Sequence, residues 1–152
     1  MDASLAGTMA CYCEDLVACP YFMPEERFES TWPFPQRLPL GAGWNGTCQA
    51  PGHGGARPTG DELTSGCNVG YARSCSRLPA DRHADAVRFA LGEERDGLLH
   101  VLFVCERAYL PASSGELLYD KAQGTWVKTH DQACVQRMAE CYVLTQLERR
   151  RT

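Results

Sequence analysis

Between Cys19 and Cys75 the chain is dense in residues that interrupt regular structure, and this constrains the fold more than any other feature. Nine of its 14 glycines and seven of its nine prolines fall there, with Cys19, Cys48, Cys67 and Cys75 spaced C-x28-C-x18-C-x7-C. Glycine costs helix and strand entropy, and proline removes a backbone donor, so the stretch is expected to be loop rather than regular helix or sheet. Loops of this length need an internal cross-link, and four thiolates converging on one metal would supply it. Half the aromatics, Tyr21, Phe22, Phe28, Trp32, Phe34, Trp44 and Tyr71, lie in the same stretch. Such an apolar shell would exclude water from a metal centre and tune its potential.

Cysteine usage decides between cross-links. Nine cysteines in 152 residues is about 6%, below the roughly 8–10% of a disulfide scaffold, and the number is odd. Met1 to Ala18 has no basic segment followed by an apolar run, and no later stretch approaches the ~20 apolar residues of a membrane span. The expectation is a reducing cytoplasm, where clustered cysteines signal metal or catalysis. On that reading the glycosylation match at Asn45-Gly46-Thr47 is fortuitous. A net charge of −4 gives no general attraction to nucleic acid or to anionic membranes.

Zinc sites usually carry C-x2–4-C knuckles, and the chain has none. The nearest approach is Cys48-x4-His53, which makes His53 the alternative ligand of a zinc site. Wide spacing together with Cys19-Pro20 favours a [4Fe–4S] cluster, because a Cys-Pro pair also closes the bacterial ferredoxin run. That similarity is local: the C-x2-C-x2-C core is absent. Cys11-x-Cys13 is the tightest pair, either a further ligand source or part of an unordered terminus.

Within the first half, Pro24 followed by Glu25, Glu26 and Glu29 predicts a short helix with proline in its first turn. It would stop before Trp32-Pro33-Phe34-Pro35. Gly41, Gly43 and Gly46 around Trp44 predict turns leading to Cys48, and 51–60 a loop. Thr59 and Glu62 form a capping-box pattern for a helix to about Ser65, with Cys67 at its end and a left-handed Asn68 or Gly70 after it.

Composition shifts near Pro79, separating a loop-rich region 1–79 from 80–152, the two forming one compact domain. Val87, Phe89 and Leu91 alternate with smaller or polar neighbours, as in a half-buried strand. Residues 92–97 read as a polar connection, 98–106 as a central strand, and 109–115 as a loop. Leu117–Asp120 and Thr125–Lys128 flank a hairpin turn at Lys121–Gly124. Thr129 with Gln132 suggests a second capping box opening a helix from about His130 to Arg149, with Cys134, Met138, Cys141, Tyr142 and Thr145 on one face. The predicted fold is α+β: an irregular cysteine-rich N-terminal half packed on an antiparallel meander of about four strands, covered by a C-terminal helix.

Three functional classes follow. One is a small cytoplasmic protein holding a [4Fe–4S] cluster on Cys19, Cys48, Cys67 and Cys75, structural or electron-carrying within a larger system. The second is a zinc-stabilised interaction module presenting Trp32, Phe34 and Trp44 to a protein partner. The third is a thiol enzyme with a reactive cysteine. Cys105, Cys134 and Cys141 read as core packing, Asp61-Glu62 and Glu93-Glu94 as solvated acids. Arg73, Arg77, Arg82 and Arg88 are a candidate basic patch in a chain whose basic residues are mostly arginine. His83, His100 and His130 form no catalytic pattern.

Overall fold

The computed structural model describes residues 17–28, 37–69 and 75–151. Cys11, Cys13, Glu29, Trp32, Phe34, Gly70, Tyr71 and Arg73 lie outside them. Among the described residues, two antiparallel sheets and one long helix make up the fold. A ribbon pairs β1 (Phe22–Arg27) with β2 (Trp44–Cys48), and a second sheet has the order β3 (Ala86–Arg95), β4 (Leu98–Arg107), β5 (Leu110–Asp120), β6 (Thr125–Lys128). A single short turn of helix, α1 (Gly60–Glu62), runs into a π-helical turn, Leu63–Cys67, and helix α2 spans Ala133–Arg151. The class is α+β with a four-stranded meander and a C-terminal helix, as the sequence predicts.

The four-stranded sheet follows from alternation. Leu99, Val101 and Cys105 of β4 face inward, and Leu117 joins them from β5; all are at most 2% exposed. Ala139 and Val143 of α2 close over Leu99, Val101 and Leu117, while Phe89 stacks on Tyr142 with ring centroids 5.7 Å apart. Burying each such Leu or Val contributes about 1.5–3 kcal/mol, so this face holds the helix to the sheet.

Two expected loops are instead strand. Residues 92–95 continue β3 through a bulge after Leu91, and the reversal is confined to Asp96-Gly97, both at positive φ. An Asp-Gly pair suits a two-residue hairpin whose twist matches that of its strands. Likewise β5 begins at Leu110, and the preceding turn is Ala108-Tyr109, at φ 52° and 67°. Pro111 is tolerated because a bulge separates its pairing with Glu106 from that of Ser113 with Cys105. The Lys121–Gly124 turn forms as expected, with the Asp120 carboxylate accepting the amides of Ala122 and Gln123.

The cysteine-rich half is more regular than its composition suggests. Pro24 does not open a helix; it lies in β1, buried beside Phe22 and paired with Gly46 at a bulge. Strand is possible because the bulge frees the ladder from requiring a proline N–H. Gly46 belongs to β2 rather than to a turn, since a Cβ there would stand 2.0 Å from the Met23 carbonyl oxygen.

Helix α2 serves both sheets. Arg137 donates to the carbonyls of Pro24 and Glu25 on β1, Thr145 Oγ1 to Leu40 O at 3.0 Å, and Arg149 to Gly41 O. Its start is later than predicted and its cap is different. The His130 amide donates to Gln136 Oε1 at 2.8 Å, and the Gln132 amide to His130 Nδ1 at 2.9 Å. Ala18 forms a bridge with Val87, and one buried cluster contains Ala18, Phe22, Leu40 and Trp44 alongside Val87, Cys105, Val135 and Met138. No helix among the described residues is long and apolar enough to cross a membrane.

Candidate metal centre

Each of the four cysteines singled out by spacing arrives on a different support. Cys19 opens a turn closed by the Phe22 amide on the Cys19 carbonyl, 3.2 Å, leading directly into β1. Cys48 ends β2 opposite Phe22, its amide on Ala56 O at 2.8 Å. Cys67 ends the π-turn, and Cys75 begins a turn in which its carbonyl accepts the Leu78 amide at 3.2 Å.

The π-turn is set from both ends. Thr59 and Glu62 form the predicted capping box: Thr59 Oγ1 accepts the Glu62 amide and Glu62 Oε1 accepts the Thr59 amide. Arg77 holds Glu62 from the side at 3.1 Å. At the far end the Asn68 amide reaches Leu63 O, the i→i+5 bond of a π-turn. Asn68 is right-handed, at φ −79°, rather than left-handed. Its side chain is 1% exposed and spans two segments: Oδ1 accepts the Trp44 amide, and Nδ2 donates to Trp44 O and Leu63 O, each at 2.9 Å. A fully hydrogen-bonded buried amide of this kind fixes the Cys67 segment against the strand that ends in Cys48.

The backbones of Cys19 and Cys67 meet directly, amide to carbonyl at 3.2 Å. Cys67 lies within electrostatic reach of Cys19, Cys48 and Cys75, and Cys19 within reach of Cys48, Cys75 and Cys134. Cys19 and Cys48 are buried, Cys67 half-buried and Cys75 exposed. Cys75 is the solvent-facing member of the four. Among the described residues, no three His, Cys, Asp or Glu side chains stand at the spacing of a formed ligand set. All seven described cysteines are free.

Burial governs their acidity. It pushes Cys19 up to about 12, with the neighbouring thiols adding repulsion, and raises Cys67 for the same two reasons. Burial also takes Cys134 and Cys141 up to about 11. A cation bound among such thiols reverses this balance, since it replaces their protons and cancels the charge that makes them repel. The donor set is soft and sulfur-only, which suits iron–sulfur or zinc and not magnesium or calcium.

His53, the alternative ligand, is exposed in the turn after Cys48, its amide on Ala50 O at 2.8 Å. Cys105 and Cys141 are buried in the core, as expected. Cys134 is buried too, but sequence reasoning missed its position: it adds to the upward push on the Cys19 thiol, and its sulfur donates to Tyr21 O at 3.6 Å. Trp44, expected at a partner-binding surface, is 3% exposed and packs inside the core, with the Arg27 guanidinium 5.0 Å from its ring centroid. The described members of the candidate basic patch are paired, Arg77 with Glu62, Arg82 with Asp85 and Arg88 with Glu106. Comparison of the chain with protein-family models, curated proteins and solved structures gave no match.

Proposed function

We propose that this protein binds a metal centre through Cys19, Cys48, Cys67 and Cys75, most favourably a [4Fe–4S] cluster, with a structural or electron-transfer role in a larger cytoplasmic system. The observation that supports the reading is the backbone contact of Cys19 with Cys67 at 3.2 Å, made beside the β1–β2 pairing that ends in Cys48. Each segment has its own device for holding its cysteine: a turn, a strand end, a π-turn and a second turn. π-Turns are frequent at functional sites because they re-aim a side chain at a local cost in stability. Metal binding would draw the sulfurs from electrostatic range to bonding distance, with the exposed Cys75 as the member freest to move.

Thiol catalysis is the weaker reading. Nucleophilic cysteines need a lowered pKa in an electropositive, accessible setting, whereas burial keeps Cys19, Cys67, Cys134 and Cys141 protonated.

Oxygen-free purification followed by elemental analysis tests the proposal. A brown protein with iron and acid-labile sulfide is the expected result, and one zinc per chain would shift the centre to the zinc-stabilised class. Cys67→Ala should lose the metal and Cys105→Ala keep it. Equal metal content in wild type and Cys67→Ala would overturn the assignment.

A further inference from the structure

We infer that the groove between β6 and helix α2 receives an extended peptide segment of a protein partner, with the side-chain pattern basic-x-apolar-x-basic. No described cysteine lines this groove, so the inference stands apart from the metal-binding reading.

The groove has a volume of about 370 Å³. Tyr119 and Trp126 enter it from the sheet, their ring centroids 5.0 Å apart. From α2 come Val143, which is buried, Leu147, and Leu144, which is 49% exposed. Among the described residues lining it, the charged ones are Glu140 and Glu148, so an apolar trough carries a carboxylate towards each end of its helical wall. An occupant that is apolar in the middle and cationic on both sides matches this distribution.

Spacing selects the conformation of that occupant. Residues 140, 144 and 148 recur every four positions and share one face of α2. At 1.5 Å per residue the two glutamates stand about 12 Å apart along the helix, with Leu144 midway. In an extended chain, side chains at i, i+2 and i+4 project to one side, and the first and last are about 13 Å apart. Cations at i and i+4 therefore meet Glu140 and Glu148 while the residue between them packs on Leu144. The sheet favours the same conformation, because β6 is last in the strand order and its outer side offers backbone donors and acceptors to an added strand.

Both glutamates can take a further partner. Glu148 pairs with Arg27, and Glu140 with Arg137, yet their side chains remain 48% and 37% exposed. Exposed ion pairs of this kind contribute little to stability, and a carboxylate accepts several donors at once. Arginine suits the flanking positions better than lysine, since its planar fork binds a carboxylate through two parallel hydrogen bonds.

The test is fluorescence anisotropy of a dye-labelled peptide, Ser-Arg-Ser-Leu-Ser-Arg-Ser, titrated with the full chain. Saturable binding that weakens with added salt is expected. Moving the second arginine by one position turns it to the other side of the strand and should weaken binding about fivefold, and replacing both arginines by glutamate should abolish it. Glu140→Gln/Glu148→Gln should also weaken binding about fivefold, as for two exposed ion pairs, and Leu144→Ser about tenfold through lost apolar contact. Glu25→Gln/Glu93→Gln removes the same charge from β1 and β3 and should bind like wild type. The shifted peptide is tested on unaltered protein, so a folding defect in a variant cannot imitate the result. Absence of saturable binding, or equal affinity for the original and shifted peptides, overturns the inference. So does a dimer in sedimentation that Leu144→Ser converts to monomer, because the groove would then be filled by a second copy of the chain.

Discussion

The amide of Cys19 donates to the carbonyl of Cys67 across 3.2 Å, joining the residue that leads into β1 to the residue that ends the π-turn. Because β1 is paired with β2, this contact also fixes Cys67 relative to Cys48, which sits opposite Phe22. The geometry of the thiol group is thus set largely by backbone, and side chains that hold that backbone should matter as much as the sulfurs.

Asn68 is the most sensitive of these. It makes three side-chain hydrogen bonds to backbone while 1% exposed, so Asn68→Ala removes the acceptor of the Trp44 amide and the side-chain donors to Trp44 O and Leu63 O, of which Leu63 O keeps the Asn68 amide. Leaving buried groups unpaired costs about 1–3 kcal/mol each, and a total loss of about 3–4 kcal/mol is expected in urea unfolding. Asn68→Asp keeps the acceptor for Trp44 but loses both donors, and should also destabilise the metal-free protein. A change below about 0.5 kcal/mol in both variants would show that Asn68 does not hold the Cys67 segment.

Gly46 makes a separate demand on the ribbon. Its place opposite Pro24 leaves no room for a side chain, a Cβ falling 2.0 Å from Met23 O and 2.8 Å from Pro24 Cα. The obstacle is backbone, so β1 and β2 must part. Gly46→Ala is expected to cost about 2–3 kcal/mol by overpacking and to weaken metal uptake by displacing Cys48. Thermal unfolding and metal content should fall together.

A stabilising change is also expected. Ala108 and Tyr109 occupy the left-handed region, at φ 52° and 67°, where a Cβ costs roughly 1–2 kcal/mol per residue. The turn persists because Asp85 Oδ2 accepts the Ala108 amide at 2.8 Å, while Arg82 holds the other carboxylate oxygen at 2.7 Å. Replacing the pair by Asn-Gly suits this two-residue hairpin and leaves the amide bond to Asp85 intact. The double variant Ala108→Asn/Tyr109→Gly should gain about 1 kcal/mol in chemical denaturation. A loss of stability would mean that the Tyr109 side chain contributes more than its backbone costs.

What could be read from the residues divides along physical lines. The meander and α2 are legible because alternation in β3, the dense apolar run of β4 and helical spacing from Cys134 to Thr145 reflect burial, the strongest term in folding. Strand extent was harder: Gly92, Pro111 and polar residues look like loop, yet bulges absorb them into β3 and β5. The Asp96-Gly97 pair is the local signal for the reversal, since both residues take positive φ between paired Arg95 and Leu98. Pro24 misled because helix starts and bulged edge strands both accept proline. At the candidate site, composition pointed to four cysteines and the capping box to the approach to Cys67. Nothing local could reveal Cys134 as their neighbour, since its place depends on how α2 docks against β1.

The raised pKa values of the buried thiols give a pH signature that separates the metal-free protein from the loaded one. In the unfolded chain these thiols ionise near their ordinary value of 9.0, while in the fold burial holds Cys19 to about 12 and Cys134 to about 11. Above pH 9 the unfolded state therefore binds fewer protons than the native state, and stability falls as pH rises. The stabilisation is fully present below pH 9 and is lost progressively up to about pH 12, with a slope of about 1.4 kcal/mol per pH unit for each thiol kept neutral. Bound metal removes the effect for the ligands, because their protons are already gone before unfolding begins. Urea midpoints measured from pH 8 to pH 11 should thus decline for metal-free protein and decline less steeply for metal-loaded protein. Parallel curves would mean that the buried thiols keep their protons when metal is present, which is incompatible with their serving as ligands.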